Sequence, residues 1–193
     1  EAISAANKQT RLSNHYTEPY SYNLKERICE YVKIPMENIH INAGSELILR
    51  QLFSLYGSKV HLFSPTYYLF DEIAREKTCT FLDEEADFLS DMKKLEIPDD
   101  TTLAVIVNPN NPTGGVFDIQ ENLSLIDRHP HTMFVIDEAF IEFGGRPTVE
   151  LVPRYRNVVI TRTFSKAFSL AGCRVGYAIG NRELIRHLDS HND

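Results

Sequence analysis

Short apolar runs of strand length recur along this chain and limit its fold more than any other feature. They alternate with amphipathic segments, a pattern typical of βαβ units and a mainly parallel sheet. We therefore expect an α/β fold, with helices near residues 24–32, 45–56, 67–76, 119–128 and 182–189, and strands near residues 59–63, 78–82, 103–107, 132–136, 157–161 and 175–179. The sequence Asn23-Leu24-Lys25-Glu26 resembles a capping box and predicts where the first of these helices begins.

One lysine lies among hydroxyl side chains in the segment Thr163–Tyr177, and an arginine follows it eight residues later. The amine of Lys166 can form a Schiff base with an aldehyde. The hydroxyls of Thr163 and Ser165 and the guanidinium of Arg174 can bind a phosphate dianion through charge-assisted hydrogen bonds. These residue types at this spacing predict an anchor for pyridoxal 5'-phosphate.

Polar side chains also follow two of the predicted strands. Asn108–Gly115 comes after the apolar run Leu103–Val107, and Asp137 comes after Met133–Ile136. Ligands collect at the carboxyl ends of the strands in open α/β sheets. Asp137 is the candidate partner of the pyridine nitrogen, because a carboxylate there keeps the ring protonated and able to act as an electron sink. Asn111 can donate its side-chain amide to the ring hydroxyl.

Three motifs, in this order and spacing, resemble pyridoxal-phosphate enzymes of aminotransferase fold type I. They are NPNNPTGG, VIDEAFIEF and TFSKAFSLAGCRVGY, and they are most similar to the histidinol-phosphate aminotransferase branch. The resemblance extends from about Asn14 to the end of the chain. It implies a three-layer αβα sandwich, the large domain of such an enzyme, in which the strand at residues 175–179 runs antiparallel. It also implies that Lys166 binds the aldehyde, Asp137 the ring nitrogen and Asn111 the ring oxygen.

The same resemblance assigns the phosphate contacts. Side chains and backbone N–H groups contribute together, because the free N–H groups in the first turn of a helix bind anions. The expected phosphate ligands are the side chains of Thr163, Ser165 and Arg174 and the backbone of Gly44, Ser45 and Glu46.

Two tyrosines complete the expected cofactor site. By resemblance Tyr67 stacks on the face of the pyridine ring, although a neighbouring tyrosine could take that place instead. In the family the active site lies at a subunit interface, and the position of Tyr16 corresponds to a tyrosine that reaches the phosphate of the neighbouring subunit. The resemblance therefore implies a homodimer, and two-fold assemblies are the commonest soluble oligomers.

One position departs from the family pattern. The family usually has a tyrosine after the Asp-Glu-Ala sequence, and that tyrosine donates a hydrogen bond to the ring oxygen. This chain has Phe140, which packs but cannot donate. Phosphothreonine decarboxylases and other side branches of the fold can carry a phenylalanine there. The motifs therefore indicate the cofactor and leave the type of reaction open.

The resemblance implies an aminotransferase acting between an amino acid or amine, including phosphorylated, histidinol-phosphate-like amines, and a 2-oxo acid. Lys166 would be both the tether of the cofactor and the base that takes the substrate α-proton. Two alternatives stay open. One is a pyridoxal-phosphate-dependent decarboxylase of a phosphorylated amino acid. The other is a cofactor-binding sensor or fragment without turnover.

Each candidate residue also has a purely structural interpretation. Lys166 could be a surface lysine at the start of a helix, Asp137 and Glu138 a solvated strand end, and Arg174 the partner of a carboxylate. The joint occurrence of these residues favours the cofactor site. His187 and His191 lie four residues apart near the end of the chain, where histidines are usually solvated, so we expect no metal site.

The chain has 193 residues, enough for one domain with a sizeable core, whereas members of the resembled family are much longer. We expect residues 1–22 to form an N-terminal segment and residues 23–193 to form the large domain that binds pyridoxal phosphate. The C-terminal small domain of the family is then expected to be absent from this sequence.

Composition and charge narrow the possible partners. The formal net charge of −7 argues against nucleic acid and supplies no basic face for a membrane. No apolar run approaches the roughly 18 residues of a spanning helix, and the first residues lack the pattern of a signal peptide. The three cysteines are widely separated and predict reduced thiols. We therefore expect a cytoplasmic protein whose partners are small-molecule substrates.

Overall fold

A single mixed sheet organises the chain. The computed structural model describes residues 2–16, 21–82, 95–119 and 123–191. Within these ranges the sheet has seven strands in the order β1-β7-β6-β5-β4-β2-β3. The strands are β1 (Ile39–Asn42), β2 (Val60–Ser64), β3 (Lys77–Phe81), β4 (Leu103–Val107), β5 (Met133–Asp137), β6 (Val158–Thr163) and β7 (Gly176–Gly180).

The α-helices lie between the strands in sequence, as expected for βαβ units. They are α1 (Ala2–Thr10), α2 (Tyr22–Val32), α3 (Ser45–Tyr56), α4 (Tyr68–Ile73), α5 (Ser124–Arg128) and α6 (Arg182–Asp189). Four 3₁₀ turns complete the described elements, at Met36–Asn38, Ile141–Phe143, Val149–Leu151 and Ala171–Cys173.

Both faces of the central strands are buried. Side chains alternate between the faces of a strand, and residues of the central strands divide accordingly between two apolar clusters. Ile136 and Ile160 belong to the cluster that includes residues of α2, whereas Val135 and Val159 belong to the cluster that includes residues of α3 and α6. The structure therefore has helices on both sides of the sheet, the three-layer arrangement that the resemblance implied.

The predicted elements are largely present. All six predicted strands are confirmed, and β7 pairs antiparallel with both β1 and β6 while the other pairs are parallel. The helix predicted at 67–76 is shorter, Tyr68–Ile73, and the described part of the one predicted at 119–128 is Ser124–Arg128. Residues 120–122 lie outside the described residues.

Two local predictions were wrong. The strand β1 was not expected, because it has only four residues and carries the polar residues His40 and Asn42. The capping box was also wrong. The helix α2 begins at Tyr22, ahead of Asn23, and Ser21 precedes it in a left-handed conformation without a side-chain cap.

The sheet topology brings several strand ends to one edge. Thr163, the last residue of β6, pairs with Gly176, the first residue of β7, and Gly176 also pairs with Asn42 at the end of β1. Because β1 leads directly into α3, the N-terminus of α3 lies at this edge. A Cβ atom on Gly176 would be 2.1 Å from the backbone nitrogen of Ser45. The absence of a side chain at residue 176 therefore lets α3 approach the sheet.

None of the helices within the described ranges is long and apolar enough to cross a lipid bilayer.

We predict that Gly176→Ala destabilises the protein by about 3 kcal/mol or more, because the new methyl group meets backbone that cannot move aside cheaply. Urea unfolding measures the free energy of unfolding. Gly172→Ala is the matched control, since a Cβ atom at that residue has no atom within 4 Å, and it should change the stability by less than about 0.5 kcal/mol. Equal effects of the two substitutions would contradict the close approach.

Candidate active site

A cavity of about 190 Å³ opens at the carboxyl edge of the parallel strands. Residues from all three motifs line it, together with residues of α3 and of the segment after β2. Nine of the predicted site residues line this one cavity: Ser45, Glu46, Tyr67, Asn111, Asp137, Thr163, Ser165, Lys166 and Arg174. The structure thus brings together side chains that are up to 129 positions apart, from Ser45 to Arg174.

Lys166 lies on the loop between β6 and β7. It is exposed to solvent, as the surface interpretation expected, and it also lines the cavity. Its Nζ atom lies 5.2 Å from the centroid of the Phe140 ring, within the range of a cation–π contact. Phe140 lines the cavity as well. The unusual phenylalanine is therefore a direct neighbour of the lysine amine.

Asp137 ends β5 and is almost completely buried, with 4% of its surface exposed. The hydroxyl of Thr161, its neighbour on β6, donates to Asp137 Oδ1 at 2.9 Å. Burial raises the pKa of Asp137 to about 6, although Thr161, the backbone N–H of Ala139 and the charge of Lys166 oppose that rise. Asp137 forms no ion pair with any residue of the described ranges. A solvated strand end is therefore the wrong interpretation of this carboxylate.

Glu138 is also buried but has a different environment. Its Oε2 atom accepts from Arg162 Nε at 2.8 Å, and its Oε1 atom accepts from both the backbone N–H and the hydroxyl of Thr148 at 2.7 Å. Glu138 and Arg162 expose 0% and 4% of their surfaces. Because neighbouring residues of a strand point to opposite faces, this ion pair lies on the opposite face of the sheet from the side chain of Asp137, which faces the cavity.

The three asparagines of the NPNNPTGG motif have separate roles. The side chain of Asn108 exchanges two hydrogen bonds with the backbone of Phe117, and Asn110 donates to the carbonyl of Pro65 and to Thr113 Oγ1. Both fix the shape of the loop. Asn111 lines the cavity, so it is the asparagine of this motif that can contact a ligand there.

Hydroxyl, cationic and backbone groups meet at the position expected for phosphate. Thr163 Oγ1 lies 3.0 Å from Ser165 Oγ and accepts from the N–H of Ser165 at 3.1 Å. Thr163 is two residues beyond Thr161 on β6, so these hydroxyls lie about 7 Å further along the strand than the contact with Asp137. Ser45 and Glu46 are the first residues of α3, where backbone N–H groups have no partner within the helix.

Gly44 differs from the expectation that its backbone would bind phosphate. Its N–H donates to the carbonyl of Asn42 at 2.7 Å and is therefore already engaged. Gly44 contributes space instead. A Cβ atom at this residue would be 2.7 Å from Nη2 of Arg174, and the φ angle of +86° is one that glycine adopts readily. The guanidinium of Arg174 can lie beside the start of α3 because residue 44 has no side chain.

The two predicted tyrosines lie in different environments. Tyr67 lines the cavity, and burial, followed by its contact with Tyr68, raises its pKa to about 12. Tyr68 is 70% exposed and is not among the lining residues. Of the two, Tyr67 is the one placed to contact a ligand. Tyr16 is fully exposed and does not line the cavity of its own chain.

The sequence interpretation missed Thr161, which contacts the site residue Asp137. Thr161 lies inside an apolar strand, and its role depends on the register between β5 and β6. A search for polar residues within apolar runs would have found it, but the pairing with Asp137 needed the structure.

We predict that Asp137→Asn stabilises the cofactor-free protein at neutral pH. The pKa of Asp137 is raised in the folded state to about 6, so its contribution to the stability of the wild type is fully present below about pH 4 and is lost as the pH rises through about 6. Asparagine cannot ionise and avoids this loss, on the order of 2–3 kcal/mol. Urea unfolding at pH 4 and pH 8 measures the difference.

Asp99→Asn is the control for this experiment, because Asp99 is exposed and lies outside the cavity. It should give the same small effect at both pH values. If Asp137→Asn stabilised the protein equally at pH 4 and pH 8, the burial of an unpaired carboxylate would not be the cause.

Known proteins with similar sequences and structures indicate the family of this chain. A histidinol-phosphate aminotransferase of Syntrophus aciditrophicus is 37% identical over 186 residues, which cover 90% of this chain and 50% of that protein. The structure of the histidinol-phosphate aminotransferase from Clostridium acetobutylicum has a TM-score of 0.85 at 25% identity and covers 99% of this chain and 60% of that one. An L-threonine-O-3-phosphate decarboxylase from Porphyromonas gingivalis has the same fold, with a TM-score of 0.80 at 22% identity over 96% of this chain and 57% of that one.

This chain spans about half the length of the curated relatives it matches. The sequence model of the family "Aminotransferase class I and II" matches residues 1–192. The match takes in the loop that carries Lys166, the end of β5 with Asp137, and the start of α3. The chain therefore belongs to the class I and II aminotransferase family.

Proposed function

We propose that this chain binds pyridoxal 5'-phosphate and serves an aminotransferase that acts between an amino acid or amine and a 2-oxo acid. The observation that carries the proposal is the convergence of Lys166, Asp137 and the hydroxyls of Thr163 and Ser165 on one cavity. Each of these groups suits a different part of the cofactor. The names of the matched relatives support a phosphorylated, histidinol-phosphate-like amine as the substrate.

Two features of the structure fit this cofactor. Asp137 is a buried carboxylate without a cationic partner among the described residues, and a protonated ring nitrogen would supply that partner. At the other part of the cavity, Gly44 leaves room for the guanidinium of Arg174 beside the first turn of α3. A guanidinium, a helix N-terminus and two hydroxyls together suit a phosphate dianion.

When bound, the cofactor supplies an electron sink for the pair of electrons left on the substrate α-carbon. The residues of the chain do the rest. Lys166 Nζ would hold the aldehyde group of the cofactor and, once free, would accept the substrate α-proton. Asp137 would hold the protonated ring nitrogen, while Asn111 would donate to the ring hydroxyl and Tyr67 would cover one face of the ring.

Decarboxylation of a phosphorylated amino acid is the second candidate. The observation in its favour is Phe140, which lies beside Lys166 where the family usually has a tyrosine that donates a hydrogen bond. The phenylalanine can pack against the cofactor but leaves the ring oxygen with one donor fewer. The similarity in fold to the threonine phosphate decarboxylase is compatible with both reactions.

The oligomeric state, the domain bounds and the compartment of the protein are also proposals. We infer a homodimer in which the partner subunit's Tyr16 reaches the phosphate, since Tyr16 is fully exposed in its own chain. Residues 1–22 would then be an N-terminal segment, and residues 23–193 the large domain. The cytoplasm is the compartment that suits small amine and 2-oxo acid substrates and three free cysteines.

We predict that borohydride reduction in the presence of pyridoxal phosphate places a pyridoxyl group on Lys166. Peptide mass mapping should find the label on the peptide that contains Ser165 and Lys166. Lys166→Ala should lose the label and still bind the cofactor weakly through Arg174 and the hydroxyls. Reduction onto a different lysine would exclude Lys166 as the anchor.

The reaction itself is predicted to leave the amino group on the cofactor. Because the chain spans about half the length of its relatives, the assay is a single turnover with protein in excess over histidinol phosphate or L-glutamate. Chromatography should detect pyridoxamine phosphate and a carbonyl product in equal amounts, and Lys166→Ala should give neither. Release of carbon dioxide from a phosphorylated amino acid, with the cofactor recovered unchanged, would favour the decarboxylase instead.

A further inference from the structure

We propose that Thr161 is a positioning residue of the cofactor site, which holds one oxygen of the Asp137 carboxylate so that the other is presented to the ring nitrogen. The inference rests on the proposed function of Asp137. Thr161 lies on β6, directly opposite Asp137 in the parallel ladder, and exposes 0% of its surface. Its hydroxyl donates to Asp137 Oδ1 at 2.9 Å.

The backbone around Asp137 is fixed independently of the Thr161 side chain. The carbonyl of Asp137 accepts from the N–H of Asn108 at 2.9 Å, and the next N–H, that of Glu138, donates to the carbonyl of Thr161 at 2.8 Å. Behind the sheet, Arg162 and Glu138 form a buried ion pair. What these contacts leave undetermined is the rotation of the Asp137 side chain. The hydroxyl of Thr161 restricts that rotation, together with the backbone N–H of Ala139.

The chemistry of the contact also favours the charged carboxylate. A hydroxyl has one proton to donate, and here the proton goes to Oδ1. Donors to a carboxylate stabilise its ionised form. The other groups that act on Asp137 are Ala139 through its backbone N–H, Lys166, which favours ionisation, and Glu138, which opposes it. Tyr67 is a further neighbour in the cavity.

The alternative is that Thr161 only fills space between β5 and β6. Thr161→Val keeps the shape of the side chain and removes the hydroxyl, whereas Thr161→Ser keeps the hydroxyl and removes a methyl group. Thr132→Val is the matched control. Thr132 is a buried threonine just before β5 whose hydroxyl donates to the carbonyl of Thr101 at 2.8 Å, at the other end of the strand from Asp137.

Three measurements distinguish a positioning role of Thr161 from a purely space-filling one. The first is the pH titration of the Asp137 carboxyl carbon by NMR in the cofactor-free protein. The second is the dissociation constant for pyridoxal phosphate. The third is the NMR shift of its ¹⁵N-labelled ring nitrogen when bound. Loss of a hydrogen bond to a charged group should weaken binding about tenfold in Thr161→Val, raise the pKa of Asp137 and shift the ring nitrogen towards its unprotonated position.

Thr161→Ser should bind pyridoxal phosphate within about threefold of the wild-type affinity. Its Asp137 should titrate as in the wild type. Thr132→Val should lower the melting temperature without changing the Asp137 titration, the affinity for pyridoxal phosphate or the shift of the ring nitrogen. If Thr161→Val unfolds, Thr161→Ser and Thr161→Ala are compared, since they differ only in the hydroxyl.

An unchanged Asp137 titration and an unchanged ring-nitrogen shift in the variant that lacks the hydroxyl would overturn the proposal. A failure of the proposed function would look different. In that case the wild type would not bind the cofactor through Lys166, while the titration of Asp137 in the cofactor-free protein would still show whether Thr161 controls this carboxylate.

Discussion

The buried ion pair between Glu138 and Arg162 is the contact on which the site depends. It joins the ends of β5 and β6, and Glu138 also accepts two hydrogen bonds from Thr148, which lies ten residues further along the chain. Removal of one partner from such a pair leaves an uncompensated buried charge and costs about 3–5 kcal/mol. The pair therefore holds the segment that follows β5, including Phe140, in a fixed relation to β6 and to the loop that carries Lys166.

The same two strands carry a second polar pair on the other face. Asp137 and Thr161 precede Glu138 and Arg162, and the alternation of side chains turns the first pair to the cavity and the second to the interior. The charge of Glu138 is neutralised by Arg162. Asp137 has no cationic partner among the described residues, and burial raises its pKa to about 6. A cationic ligand can stabilise a carboxylate that is costly to keep ionised within the protein alone, so the burial of Asp137 without a cationic partner among the described residues is a reason to expect binding there.

The sequence predicted those parts of the fold and site that depend on local pattern. Apolar runs located β2 and β4 to β7 because strands buried on both faces are mostly apolar, whereas the edge strand β3 is mostly exposed. The residues Lys166, Asp137 and Asn111 could be named because each lies at the end of such a run or in a motif. The strand β1 was missed since its buried His40 is matched by Asp189 of α6, 149 positions away, and no local pattern shows that partner. Thr161 was missed for the same reason, because its contact with Asp137 depends on the pairing of β5 with β6.

The antiparallel strand β7 explains how one short loop can supply both Lys166 and Arg174. Parallel neighbours in a sheet need a crossover connection, which carries the chain back to the opposite edge. Between β6 and β7 the chain instead turns back at the same edge, and the pair Thr163 and Gly176 closes the loop of residues 164–175. Both ends of this loop therefore stay at the cavity, with the lysine near its start and the arginine near its end. Gly176 then adds the third component, since its missing side chain admits the N-terminus of α3 beside Arg174. A single reversal of strand direction thus brings the amine, the guanidinium and the helix N-terminus to one edge of the sheet, where Asp137 already lies.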